Sequence, residues 1–425
     1  MLQQRTPRIR EKADSELVRQ QNRHLVLRAL RQSGPQARIE LGRLTGLSPA
    51  SITSISAQLI GERLVLELPD SGGTGEPVRR GRPMVRLDLN PAIATILAAK
   101  ISIDGMEIAL ADFRGQVITR GTASLPTHEA DRELFGKAIA AALAAFLDAQ
   151  KIPRSRVKHI AVAAQGLADA RAGTLIWSPA FRARNIPVCA PVQRILGIPC
   201  SISNDANMIA EGLINLAPQR YSGNSAVIFI GYGVGMGLIV NGTVYRGANG
   251  VASEFGHMNH IPDGPLCRCG RRGCIEAYAA DYGIARSAAG LAQQGPPTEV
   301  PVPAAAMARL EDAARFADGP ERLAFDKAGE ALGYGIARMV ALLAPEHVVL
   351  AGPGTRAMTL IEPALHKAFA AGVVEELRRN TDLSIVPIDT DMIIKGTIDT
   401  TLRMLDQDLL ANGQAAVASA QDHVA

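Results

Sequence analysis

The segment from Glu254 to Glu276 reads EFGHMNHIPDGPLCRCGRRGCIE. It places one histidine and three cysteines, His257, Cys267, Cys269 and Cys274, within eighteen residues. One imidazole and three thiolates are the donor set of a tetrahedral zinc site. The bland alternative is a disulfide knuckle, but three cysteines cannot all pair. Glu254 and Glu276 stand just outside the two ends of the cluster. Two carboxylates exceed the needs of a structural knot, so the metal is expected to shape a pocket that binds something polar. The other two of the five cysteines, Cys189 and Cys200, are expected as half-buried small residues and not as a disulfide.

Such a pocket needs a scaffold, and 425 residues allow two or three domains. The apolar fraction, 47%, is that of a globular protein. The first thirty residues have no apolar leader and no run of about twenty apolar residues occurs, so neither a signal peptide nor a membrane span is expected. Cysteines gathered as ligands fit a reducing cytoplasm. Charge is uneven: residues 1–90 hold 15 Lys/Arg and 9 Asp/Glu, against a net charge of +4 for the whole chain. A basic N-terminal segment on a near-neutral body points to a polyanionic partner reached from one end, with a solvated basic face as the plainer alternative.

That segment reads as a DNA-binding head. After a basic arm (1–20), helical periodicity begins near Asn22 and stops at Gly34-Pro35. A short helix fits Arg38 to Leu44, with Ile39, Leu41 and Leu44 available for a core. Gly46 then turns the chain, Ser48 caps a third helix and Pro49 takes its first position. Ile52, Ile55 and Leu59 share one face of that helix, while Ser51, Ser54 and Gln58 share another. This spacing predicts a winged helix-turn-helix over 21–90, with the third helix in the major groove. Ser48, Ser51, Thr53, Ser54 and Gln58 are the expected base-side contacts. The helix has no Lys or Arg before Arg63, so phosphate contacts fall to Arg5, Arg8, Arg10, Arg23 and the wing. The wing carries Arg79, Arg80 and Arg82 around Gly81-Pro83, a hook suited to a narrow minor groove. A small helical protein-interaction domain is the alternative.

From Thr95 the pattern becomes α/β. ILAAKISI and MEIALADF form a predicted hairpin turned at Asp104-Gly105, continued by Val117 to Ala123. A helical run over 129–150, a buried strand VKHIAVAAQGLAD and a strand-to-helix passage through Asn204-Asp205 follow. A second hairpin sheet begins near Ala226. Helical stretches at 304–318 and 322–343 lead to the strand HVVLAGPG. Repeated hairpins, helices and glycine-bearing strand ends suit two related lobes around a cleft. The segment after about Asn412 is expected to fray.

The motifs together resemble the ROK family, which contains bacterial sugar kinases and sugar-responsive repressors. Cys267-x-Cys269-Gly-x-x-Gly-Cys274-x-Glu276, the preceding Glu254-x-Gly-His257, and Asn204-Asp205-Ala206-Asn207 match it. The resemblance covers nearly the whole chain. The head with Gly81-Arg82-Pro83 is similar to the repressor branch, with its xylose- and N-acetylglucosamine-type regulators. It implies an actin-like, hexokinase-like fold over 91–411, with a small lobe near 91–206, a large lobe near 207–394, a C-terminal helix near 395–411 and a flexible tail over 412–425. It also implies that Asn204, Asp205, Glu254, His257 and Glu276 contact a sugar between the lobes. His257 is favoured over His260 as the zinc ligand, which leaves His260 exposed. Helix-terminal N–H groups should favour ionised Asp205, the base position of the family's kinases. Trp177, the only tryptophan, is expected either at the cleft entrance or in packing. Ala180 stands near an asparagine of the kinases.

The resemblance also sets the main fork. The family's kinases carry an Asp-x-Gly-Gly-Thr-Lys phosphate loop, whose glycines let backbone N–H groups approach ATP. Here Lys100, Ser102, Ile103, Asp104 and Gly105 cover that motif, with lysine for the magnesium aspartate and an acid in place of threonine. Gly231-Tyr232-Gly233-Val234-Gly235 keeps the second loop, but Tyr232 crowds it. The adenosine-side turn is Ala351-Gly352-Pro353-Gly354. Lost phosphate donors should cost most of the rate of phosphoryl transfer, so ATP and Mg2+ are not expected as cofactors and no catalytic residue is expected. Asp205 would be the base if the chain were a kinase. The expectation is a transcriptional repressor that binds operator DNA and a sugar as a homodimer or homotetramer on an inverted repeat. A sugar kinase with a regulatory head is the alternative.

Overall fold

The computed structural model describes residues 8–68, 85–103, 105–125, 127, 131–251, 253–291, 301–386 and 391–421, with only the backbone path for 8–17 and 411–421. The head is built from α1 (Arg8–Ser33), β1 (Gln36–Ala37), α2 (Arg38–Thr45), α3 (Pro49–Gly61), β2 (Val65–Leu68) and β3 (Arg86–Leu89). Local chemistry sets its breaks. Gly34 and Gly46 take φ of +69° and +70°, which ends α1 and α2 at residues without a Cβ. The Ser48 hydroxyl accepts from the Ser51 N–H at 3.2 Å and starts α3. The strands pair in the order β1-β3-β2. Helix α1 begins well before Asn22, because its first turns are polar and show no apolar period. In α2 only Leu41 is buried; Ile39 and Leu44 are exposed, since their spacing turns them off its inner face.

The body repeats one topology. Its first sheet joins β4 (Thr95–Ser102), β5 (Gly105–Asp112) and β6 (Val117–Ser124) as an antiparallel meander. Helix α4 (Phe135–Ala149) then leads to β7 (Val157–Ala164), parallel to β4. A small sheet of β8 (Leu167–Asp169), β9 (Thr174–Trp177) and β10 (Ile186–Pro187) intervenes. Helix α5 (Cys189–Leu196) leads to β11 (Cys200–Asn204), which is parallel to β7 and runs into α6 (Asp205–Leu216). The second sheet joins β12 (Ser225–Ile230), β13 (Val234–Val240) and β14 (Thr243–Tyr245), again a meander. After α7 (Glu276–Ala279), α8 (Asp281–Ala288), α9 (Ala304–Phe316) and α10 (Pro320–Leu343), β15 (His347–Ala351) lies parallel to β12. Helices α11 (Met358–Gly372) and α12 (Glu375–Arg379) precede β16 (Asp382–Ile385), and α13 (Asp391–Gln421) closes the described chain.

The sheet orders, β11-β7-β4-β5-β6 and β14-β13-β12-β15-β16, are the same meander plus two parallel strands. Parallel strands need helical crossovers, which is why the helices fall between them. Each sheet has its own core: Leu97, Leu143 and Ile160 lie in one, and Ile228, Phe325 and Ile336 in the other. A third apolar cluster spans the joint, where Val26, Leu27 and Leu30 of α1 pack with Ile394, Ile398 and Leu402 of α13. Helix α13 runs to Gln421, beyond the expected 395–411. Helix α4 starts at Phe135, later than 129. Among the described residues no helix is long and apolar enough to cross a membrane.

Candidate functional site

The two lobes face each other where β11 ends and α6 begins. Asn204 caps α6, its Oδ1 accepting from the Asn207 N–H at 3.1 Å while its Nδ2 donates to the Gly166 carbonyl at 2.8 Å. Much of its expected capacity for a diol is therefore spent on structure. Asp205, the next residue, accepts from the Ala206 N–H at 2.8 Å. Burial raises its pKa to about 7, against that backbone bond and the nearby Lys100 ammonium, with Glu254 adding to the rise. The helix terminus does not hold it ionised as expected: the N–H groups of Ala206 and of Asp205 itself are too little against desolvation.

Across the cleft, His257, Cys267, Cys269 and Cys274 come together, with one ligand atom from each within 4.8 Å of the others. The His257 Nδ1 lies 3.6 Å from the Cys267 sulfur, and the Cys269 and Cys274 sulfurs are 3.7 Å apart. Zinc–sulfur bonds of about 2.3 Å give tetrahedral edges of about 3.8 Å, so these spacings fit a divalent ion. The sulfurs also form an electronegative nest. Although desolvation opposes it, hydrogen bonding to Cys269 and Cys274 pushes the His257 pKa up to about 10. Backbone bonds hold the loop, including Cys267 N–H to Arg271 and Gly273 N–H to Pro265, at 2.8 and 2.9 Å. Gly273 has φ of +74°, and a Cβ there would stand 1.8 Å from the Ile261 carbonyl oxygen. His260 lies outside the cluster and, contrary to expectation, is buried, edge-on to Tyr278 and stacked near Tyr334. Cys189 and Cys200 are free thiols.

The second nitrogen of His257, Nε2, lies 3.8 Å from Glu254. Glu254 is partly exposed, and burial raises its pKa, with the charge of Glu276 adding to the effect. Glu276 is nearly fully buried at the start of α7 and accepts from the Val234 N–H at 3.2 Å and the Tyr282 hydroxyl at 3.3 Å. Asn204, Asp205, Glu254, His257 and Glu276 all line one small cavity, together with Trp177, whose ring meets that of His257 edge-on at 5.2 Å. Sequence reasoning missed two polar side chains of this wall, Gln165 and Ser253. The Ser253 hydroxyl is buried with no partner, in a residue at φ +72°. A lone serine before Glu254 gave no signal. Ala180 is buried behind the wall.

Two of the residues matched to the phosphate loops, Lys100 and Tyr232, bond within the chain. Lys100 is buried and pairs with Glu107 at 2.8 Å across the β4–β5 hairpin, which closes tightly from Ser102 to Gly105. Asp104 lies outside the described residues. Tyr232 donates to the Pro179 carbonyl at 3.3 Å and so bridges the lobes. The Arg268 guanidinium lies 3.8 Å from the Tyr232 ring centroid and 4.2 Å from that of Tyr282, a cation between two rings.

In the head, Ser48, Thr53 and Ser54 are exposed on α3, with Ser51 partly so. Gln58 is turned inward, its Oε1 buried without a partner. Arg23, expected on phosphate, is buried and ion-paired with Glu62, because its turn of α1 faces the core. Arg5, Arg79, Arg80 and Arg82 lie outside the described residues.

The family model for the ROK family matches residues 100–389. The chain belongs to the ROK family. The chain is 27% identical over 376 residues to the DNA-binding transcriptional dual regulator NagC of Escherichia coli, covering 88% of this chain and 90% of that one. A xylose repressor of Caldicellulosiruptor bescii is 26% identical over 338 residues, with 79% and 83% covered. Among solved structures, a ROK family transcriptional regulator described as a homologue of the E. coli MLC protein superposes with a TM-score of 0.73 at 25% identity, covering 93% and 98%. A ROK glucokinase from Streptomyces griseus shares the body fold, with a TM-score of 0.56 at 24% identity over 72% of this chain and 99% of that one. The body therefore has the two-lobed actin- and hexokinase-like architecture of the family.

Proposed function

We propose that this chain is a DNA-binding transcriptional repressor of sugar-utilisation genes, and that a carbohydrate held between its lobes changes its hold on DNA. The observation that carries this reading is the length of the likeness to regulators. A 376-residue match reaches well outside the family core at 100–389 and into the head. The head supports it with three helices, a glycine turn, a serine cap and an antiparallel strand pair leading to the basic 79–82 segment, as a winged helix-turn-helix requires. In the cleft, three carboxylates and an imidazole converge beside an indole, acceptors for hydroxyls next to a face for sugar C–H groups. Zinc fits the His257–Cys267–Cys269–Cys274 cluster, where it would fix one edge of His257 and leave Nε2 for the sugar. The internal bonds of Lys100 and Tyr232 support sensing over phosphoryl transfer. Two heads on an inverted repeat, paired through a homodimer or homotetramer, would supply the affinity that one head lacks.

The test is selection of duplexes by the purified protein, followed by release with a panel of sugars. Glu254→Gln should weaken the sugar response about tenfold while operator binding stays within about twofold. ATP-dependent turnover of a sugar, lost in Asp205→Asn, would overturn the repressor reading in favour of a kinase.

A further inference from the structure

A cavity of about 920 Å3 lies far from the cleft, between α1 of the head and α13 of the body. The turn joining β5 to β6 and the end of α6 complete its walls. Its size is that of a small-molecule site. Its walls combine exposed apolar side chains with cationic ones. Leu25 and Leu216 are 41% and 68% exposed, unusual for leucines beside a concavity. Arg28 of α1 and Arg403 of α13 both line the cavity. Burial lowers the pKa of Arg28, and the like charge of Arg403 lowers it further. Among the described residues Arg28 forms no ion pair, whereas Arg403 shares the buried Glu211 with Arg246, at 2.7 and 2.8 Å. Burial raises the pKa of Asp399, against the hydrogen bond from Asn215 at 2.8 Å and the charges of Arg31 and Arg403. Arg31, also on the wall, keeps a buried Nε–H without an acceptor although its terminal nitrogens hold Asp406. The lining as a whole is cationic: Arg28, Arg31, Arg114, Lys395 and Arg403 stand against Asp399 and Asp406.

We propose that this cavity binds a phosphorylated small molecule, its phosphate between Arg28 and Arg403 and its carbon body against Leu25 and Leu216. Planar guanidinium forks from opposite walls suit a dianion better than a single carboxylate does. The bound molecule would bridge head and body at their joint, separately from the cleft.

Calorimetry on the full-length protein tests this with glucose 6-phosphate, glucose and inorganic phosphate. Glucose 6-phosphate should bind to the Glu254→Gln variant as it does to the unaltered chain, and inorganic phosphate should compete. Arg28→Glu should weaken that binding roughly tenfold or more, with Arg28→Lys in between. Leu216→Trp, placed on the body side, should weaken it by filling the cavity, which guards against a folding defect in the head variant. No phosphate-dependent binding, binding indifferent to both Arg28→Glu and Leu216→Trp, or binding abolished by Glu254→Gln would each overturn the proposal. None of these readouts involves DNA, so they are independent of the proposed repressor function.

Discussion

Asp205 is the residue where opposing effects meet most directly. Burial lifts its pKa from 3.8 to about 7, and two backbone bonds and a nearby lysine do not restore it. The sign follows from linkage. The folded chain holds this proton more tightly than the unfolded chain, so its contribution is full below pH about 4 and is lost as pH rises through about 7. Asp205→Asn should therefore gain about 1–3 kcal/mol over the unaltered chain at pH 8 and little near pH 4, which urea unfolding at the two pH values would reveal. Sugar binding should move the other way. An ionised carboxylate accepts from hydroxyls better than an acid does, so affinity should rise several-fold from pH 6 to 8, and Asp205→Asn should flatten that slope. Glu254 and Glu276 differ in a way that their positions in the sequence do not show. Glu254 is partly exposed and faces His257, whereas Glu276 holds Val234 and Tyr282, so only Glu254→Gln changes the cleft without loosening its wall.

Among the elements, the clustering of His257 with the three cysteines and the start of α3 were legible because their signals are local. Cysteine spacing, Gly273 and the Ser48-Pro49 start each act within a few residues. Cys269→Ser should release the metal and shift the fluorescence of Trp177, whose ring lies 5.2 Å from that of His257. Metal analysis and emission spectra would check both, and unchanged metal content would overturn the ligand assignment. In α3, Ser54 is exposed and its carboxylate replacement would face phosphates, so Ser54→Glu should weaken operator binding at least tenfold without altering sugar binding. What stayed hidden depends on distant partners. The burial of Arg23 is set by Glu62, that of His260 by Tyr278 and Tyr334, and that of Lys100 by Glu107 across a hairpin. A polar residue whose partner lies across a hairpin or far along the chain looks like surface in the sequence. The polar first turns of α1 hid its start for the same reason, since apolar periodicity reports only the packed part of a helix.

Over the whole molecule, the head and body are joined by a shared core and by the Arg31–Asp406 pair, so a change at the cleft has a stiff route to α1 through α6 and α13. The cleft itself is closed. Its cavity is about 30 Å3, room for about one water molecule, so the proposed sugar would need the lobes to part. Part of what holds them is the Tyr232 hydroxyl on the Pro179 carbonyl, one hydrogen bond between the lobes. Arg268 keeps the ring in place from the metal loop, through its stack and its 2.9 Å bond to the Tyr232 carbonyl. Tyr232→Phe removes the bridge and preserves the stack. Opening then costs about 1 kcal/mol less, and a ligand that selects the open form should bind several-fold more tightly and associate faster. Stopped-flow quenching of Trp177 gives both quantities. Equal rates and affinities in the two proteins would mean that this hydrogen bond does not hold the lobes closed.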